Sequence, residues 1–132
     1  MTLLIASFFD LEVNGISLID PEDLTPPDPD AAWLLKETAD GWTYYRRIEK
    51  AQADLYRLLE GWVPSEADLS DAPMLRRCRI VTLGDHLALH GFVEGHPGLG
   101  DGRRVQTSAI VALDTGNYRW VRTLSRFYRV TL

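Results

Sequence analysis

The hydrophobic period of this chain changes once, at Pro73, and that change decides the fold class. Upstream, Tyr45, Ile48, Gln52, Leu55, Leu59 and Trp62 recur at the three-and-four spacing of one helix face. Downstream, apolar and polar residues alternate with a period of two, the pattern of half-buried strands. The two patterns together predict an α+β protein. An acidic helical N-terminal half, opening with a short β-hairpin, packs on a small C-terminal antiparallel sheet or barrel of four to five strands. The expected division is 1–72 and 73–132 within one compact unit. A chain of 132 residues can bury such a core without disulfide or metal staples.

Local signals place the elements. Phe9, Leu11 and Val13 alternate with polar residues, and Ile16 and Leu18 follow Asn14-Gly15, so 7–19 reads as a hairpin. Residues 20–30 hold four prolines and five acids and read as an acidic linker, with Asp30 as N-cap for a helical stretch over 31–60. Gly41 should break or bend that stretch, and Gly61 with Pro64 should end it. Ser65 and Asp68 have the spacing of a capping box. Strands are expected at 77–83, 86–94 and 103–113, followed by one or two more over 118–132. Asp101-Gly102 should turn the chain with Gly102 at positive φ.

Charge is unevenly spread. Residues 1–75 carry 5 basic and 15 acidic side chains, a net of −10, whereas 76–132 carry 9 and 4, a net of +5. Such asymmetry points to a polyanionic partner for the basic part, or to two halves that neutralise each other within the monomer. No apolar run reaches the ~18 residues of a membrane span, and the charge order around 3–12 is not that of a signal peptide. With one cysteine, Cys78, a cytoplasmic location is expected. Cys78 itself reads as a small buried residue in a strand.

The familiar catalytic and metal patterns do not assemble. His86 and His90 are four apart, but on a strand that separates them by ~13 Å, too far for one metal ion. His96 sits before Pro97 in a glycine-rich loop, where it is expected to hydrogen-bond backbone. Thr107-Ser108 has no nucleophile elbow, and 98–102 has no Gly-Lys-Ser/Thr. No cofactor and no metal are expected. The C-terminal strands do interleave arginines with rings: Tyr118-Arg119-Trp120-Val121-Arg122, then Arg126-Phe127-Tyr128-Arg129. On sheets that bind nucleic acid, cations follow the backbone while rings stack on bases.

Ser65–Asp71, Ala72-Pro73, Gly95-His96-Pro97, Asp101-Gly102, Thr107-Ser108 and Arg122–Arg129 together resemble a family of small uncharacterised proteins from alphaproteobacteria and their mobile elements. Its pattern is Gly-His-Pro…Asp-Gly…Thr-Ser…Arg-Thr-x-Ser-Arg-x-Tyr. The resemblance covers 65–129 and departs after Tyr128-Arg129, where this chain extends its last strand. It implies a domain of unknown function that travels with phages or plasmids, and it transfers no activity or site.

The leading expectation is a non-enzymatic binding protein. Its partner is nucleic acid or a nucleic-acid-handling protein complex, held by Arg103, Arg104, Arg119, Trp120, Arg122, Arg126, Tyr128 and Arg129. The alternative is an acidic phage or mobile-element inhibitor of a host defence system, of the anti-CRISPR or anti-restriction kind. It would mimic nucleic acid through Asp20, Glu22, Asp23, Asp28 and Asp30. A small enzyme is the remote third reading.

Overall fold

The protein was analysed as a computed structural model, which describes residues 8–25, 30–37 and 42–131. The Asn14-Gly15 signal does form a hairpin. Both residues take positive φ (52° and 75°), as a tight turn between twisted strands requires, and they join β1 (Leu11–Val13) to β2 (Ile16–Leu18). The turn does not stand alone. The Gly15 carbonyl accepts from Gly116 N–H and from Thr115 Oγ1, both at 2.9 Å. Strand β2 then pairs antiparallel with β6 (Ile110–Asp114), so the hairpin is part of the main sheet.

The helical stretch is shorter than the periodicity suggests. Residues Ala32–Leu35 make a single 3-10 turn, and the helix proper, α1, runs Tyr44–Leu59. Thr43 caps it, its hydroxyl accepting from Arg46 N–H at 3.1 Å. The expected break at Gly41 lies outside the described residues. The buried face of α1 is Ala51, Asp54, Leu55 and Leu58, so the apolar stripe is turned slightly from the predicted one and carries a carboxylate at its centre. Beyond the helix, Ser65 and Asp68 exchange the expected bonds: Asp68 Oδ2 accepts from Ser65 N–H, and Ser65 Oγ accepts from Asp68 N–H. The Ser65 N–H, together with the Ser65 hydroxyl that also donates to Asp68 Oδ2, holds Asp68 below its usual carboxylate value.

The remaining strands are β3 (Met74–Leu83), β4 (His86–Glu94), β5 (Arg104–Gln106), β7 (Trp120–Thr123) and β8 (Phe127–Val130). Among the described residues, the sheet has eight strands in the order β1-β2-β6-β7-β8-β3-β4-β5. It is mixed and open, which corrects the expectation of four to five antiparallel strands. Two things raise the count. The hairpin joins the sheet, and the predicted long strand 103–113 is two strands. Its break is made by hydroxyls: Thr107 Oγ1 accepts from Leu89 N–H at 3.0 Å, and Ser108 Oγ meets Ser125 Oγ at 3.1 Å. Short polar side chains that bond nearby groups interrupt a ladder. Among the described residues, the one parallel pairing is β3 with β8.

The sheet curls, and β4 comes against β6 across the strands between them. One core lies inside the curl, with Leu75, Leu89, Val93, Leu113 and Val121. Cys78 belongs to it, 6% exposed, and burial pushes its thiol up. The second core lies under α1, where Leu55 and Leu58 meet Ile16, Leu18, Val111 and Trp120. Strand β7 is buried along its whole length, because it faces both cores.

Strand β3 carries a bulge between Arg76 and Arg79, with Arg77 at φ 51°. Gly91 lies across from it. A Cβ there would stand 3.0 Å from Cys78 Cβ and 3.2 Å from the Arg76 carbonyl. Gly91→Ala is therefore expected to destabilise the fold by about 1–3 kcal/mol through overpacking, measured by urea denaturation. An unchanged midpoint would show that the β3–β4 pairing relaxes freely.

Candidate functional site

Two cationic regions emerge, and both are built by strand register. The first is the open face of β3, β4 and β5. Residues paired across adjacent strands share a face. Arg76 pairs with Phe92, and Phe92 with Arg104. Arg79 pairs with His90, and His90 with Gln106. This gives two cross-strand rows, Arg76–Phe92–Arg104 and Arg79–His90–Gln106, with Arg77 exposed beside them in the bulge. The Arg104 guanidinium lies 5.6 Å from the Phe92 ring centre, and His90 Nε2 is 2.8 Å from Gln106 Oε1. Arg76 is tied to Glu94 at 2.7 Å. Among the described residues no carboxylate pairs with Arg77, Arg79 or Arg104. Arg77, Arg79, Gly91 and Phe92 line a shallow hollow of about 260 Å³ with His90 and Arg104.

The second region lies between α1 and the β7–β8 connection. Its base is a buried ion pair. Arg122 Nε donates to Asp54 Oδ2 at 3.1 Å, and Arg122 Nη1 to the Thr123 carbonyl at 2.7 Å. Arg122 is 2% exposed and Asp54 2%. Lys50 also reaches Asp54 Oδ1 at 3.1 Å, with Arg57 at 3.7 Å. Burial lowers the Arg122 guanidinium from its ordinary value. Asp54 opposes that shift, and the charges of Arg126 and Arg47 add to it. Above this pair opens a cleft of about 440 Å³ whose lining includes Trp42, Arg47, Pro97, Ser125, Arg126 and Phe127. A second lobe of about 390 Å³ shares Arg47, Ser125 and Arg126 with it. That lobe adds His96, Ser108 and Tyr128. Burial pushes the Tyr128 phenol up, while Arg126 and Arg47 pull it partly back. His96 Nδ1 accepts from Gly98 N–H at 2.9 Å, the backbone bond expected of it, so its ring proton sits on Nε2 in the neutral form. The His96 ring stacks on Tyr128 at 6.4 Å.

The predicted arginine–aromatic surface divides between these places. Trp120, Arg122 and Tyr128 are inside, at 3%, 2% and 5% exposure. They lie inside because β7 is buried along its whole length and Tyr128 faces the core inside the curl. Phe127 takes edge contacts from Trp120 and Trp62, and the Arg122 guanidinium lies 5.3 Å from its ring centre, so the interleaving makes internal packing. Arg126 and Arg129 are half-buried, and Arg129 Nε donates to the Ala72 carbonyl at 2.9 Å. Arg103, Arg104 and Arg119 are exposed. Of the acidic set, Asp20 caps a 3-10 turn by accepting from Glu22 N–H. Glu22, Asp23 and Asp30 are exposed, and Asp28 lies outside the described residues. Sequence reasoning missed Arg77, Arg79, His90 and Phe92 as one surface, and Arg47, Lys50 and Asp54 as part of the cleft. Only the Arg76-Arg77-x-Arg79 cluster was a readable sign.

Fold and site define a small α+β protein with an open mixed sheet, one bare cationic strand face and one cationic cleft. The chain belongs to the family of unknown function DUF6634, which residues 59–132 match. Comparison with curated proteins and with solved structures gave no match. Among the described residues, no helix is long and apolar enough to cross a membrane.

The buried pair gives a stability prediction. Asp54→Ala leaves Arg122 charged and uncompensated in the interior, and is expected to lose about 3–5 kcal/mol. Replacing both, Asp54→Leu with Arg122→Met, should recover most of that loss. Denaturant titration of the single and double variants measures it. A single variant within about 0.5 kcal/mol of the parent would show that Arg122 finds water or another partner.

Proposed function

We propose that the protein is a non-enzymatic nucleic-acid-binding protein that holds a single strand on the open face of β3, β4 and β5. The observation that carries this reading is the pair of cross-strand rows, Arg76–Phe92–Arg104 and Arg79–His90–Gln106, with Arg77 beside them. Three guanidinium groups there have no carboxylate partner among the described residues. Guanidinium groups spaced by strand register suit a run of phosphates, and Phe92 and His90 offer flat surfaces to unstacked bases. Arg103, exposed next to Arg104, extends the cationic surface. The basic part of the chain supplies every cation in this surface, which is the sense of the charge asymmetry.

The test is fluorescence anisotropy with labelled single-stranded oligonucleotides across a salt series. Binding should weaken steeply with salt as counterions are released. The variant Arg77→Asn/Arg79→Gln/Arg104→Gln should bind at least tenfold more weakly. Its slope of log K against log salt should be shallower by about 2, at ~0.7 per lost phosphate contact. Asn at position 77 tolerates the positive φ, so the fold should stand. No binding at low salt, or binding that the triple variant leaves intact, would remove this reading.

A further inference from the structure

Three arginines of the strand face meet around one point, and this convergence says more than their number. Resting on the single-strand reading above, we propose that the hollow on β3, β4 and β5 holds a terminal phosphate monoester, so that the protein recognises a phosphorylated strand end. Arg77, Arg79 and Arg104 all line that hollow of about 260 Å³. Among the described residues no carboxylate lines it, and none pairs with these three arginines. Arg76, in the next row, is held by Glu94 and contributes no charge to the hollow.

A phosphodiester inside a strand brings one negative charge, and the chain must leave the hollow on both sides of it. A terminal monoester carries close to two charges at neutral pH and has three oxygens free of chain. Planar guanidinium groups grip phosphate oxygens with charge-assisted bonds, two in parallel where the geometry allows. Three guanidinium groups around one small volume therefore match a monoester in charge and in acceptors better than they match a diester. Phe92 forms an apolar wall, with the Arg104 guanidinium 5.6 Å from its ring centre. Beside such a wall charge attraction is less screened than in open water.

The backbone points the same way. Phe92 pairs with Arg76 and His90 with Arg79, so Arg77 and Cys78 together oppose Gly91. Cys78 turns into the core, and Arg77 is left to line the hollow. The fold accepts φ 51° at Arg77 to do this, a conformation that long side chains rarely adopt. Bulges re-aim side chains beside functional sites, and strain of this kind gathers at ligand clamps. Here the bulge adds the third cation to the two that regular strand register supplies.

Anisotropy of the full chain with oligonucleotides of one sequence, labelled internally, tests the proposal. The strands end in a 5′-phosphate, a 3′-phosphate, a terminal methyl phosphodiester, or a hydroxyl at both ends. At least one monoester strand should bind about tenfold more tightly than the hydroxyl-ended strand, the gain of roughly one charge-assisted hydrogen bond, and the arm that gains identifies the end. The methyl diester, which carries one charge, should recover little of that gain. Arg77→Asn and Arg79→Gln should each remove most of the preference. Arg103→Gln, outside the hollow, should weaken all four strands alike and keep it. In the unaltered protein, the NMR shifts that separate the monoester strand from the hydroxyl-ended one should centre on the Arg77, Arg79, Gly91 and Arg104 amides, which decides the matter even where a variant fails to fold. The proposal is overturned by a methyl diester that binds as tightly as the monoester, by a preference that Arg103→Gln removes as fully as Arg77→Asn, or by shifts centred elsewhere. Equal binding of all four strands also overturns it and leaves the single-strand reading in place, whereas binding of none removes both.

Discussion

The contact between Asp54 and Arg122 joins residues 68 apart in sequence, and both cationic regions take their form from where it holds the helix. Two charges taken out of water are expensive to bury, and their attraction repays that only with good geometry and further bonds. Here those bonds exist: Lys50 and Arg57 reach Asp54, and the Thr123 carbonyl takes a second Arg122 donor. A purely apolar contact would let α1 slide or roll on the sheet. A paired carboxylate and guanidinium fix one register, because any other leaves a buried charge alone. With Asp54 over Arg122, Arg47 lies two turns earlier on the same side of α1 and comes over Ser125 and Arg126. The helix then covers β6, β7 and β8 and leaves β3, β4 and β5 bare.

The bare strands depend on a second constraint, the bulge in β3. Without it, strict alternation would send every other residue of Arg76, Arg77, Cys78 and Arg79 inward. With the extra residue, Cys78 enters the core while Arg76, Arg77 and Arg79 all stay exposed. The strand accepts positive φ at Arg77, an unfavourable conformation for a long side chain. Gly91 supplies the space on the partner strand. Cross-strand pairing then aligns the arginines with Phe92 and His90. A local backbone irregularity thus turns a run of basic residues into an ordered surface.

What could be read from the sequence was what neighbours in the chain decide. Asn14-Gly15, Ser65 with Asp68, the turn at Asp101-Gly102 with Gly102 at φ 80°, and the strand at 86–94 are all set within a few residues. What could not be read was set at a distance. Asp54 looks like a solvated helix residue until Arg122 is beside it. The break at Thr107-Ser108-Ala109 depends on Leu89 and Ser125. The hairpin at 11–18 gives no local sign that it will pair with 110–114, and the parallel pairing of β3 with β8 has no local signature. The arginine–aromatic interleaving of 118–129 was visible, but whether such a strand faces water or a second layer depends on what packs over it. Here α1 packs over one face and the curled sheet over the other.

The charge asymmetry can now be weighed against the structure. If the halves existed to neutralise each other, the cations of 76–132 should meet carboxylates of 1–75. Arg122 does so, through Asp54. Arg76 instead pairs with Glu94 of its own half, and among the described residues Arg77, Arg79, Arg103, Arg104 and Arg119 form no ion pair. Exposed pairs contribute little to stability, about 0–1 kcal/mol each, so folding alone gives little reason to gather these charges on one face. Like charges held close by strand register repel each other. On the proposed reading, a polyanion lying across the rows would relieve that repulsion, and the free energy of relief would appear as binding. The counter-charge for these arginines then comes from a bound polyanion rather than from the acidic half of the monomer.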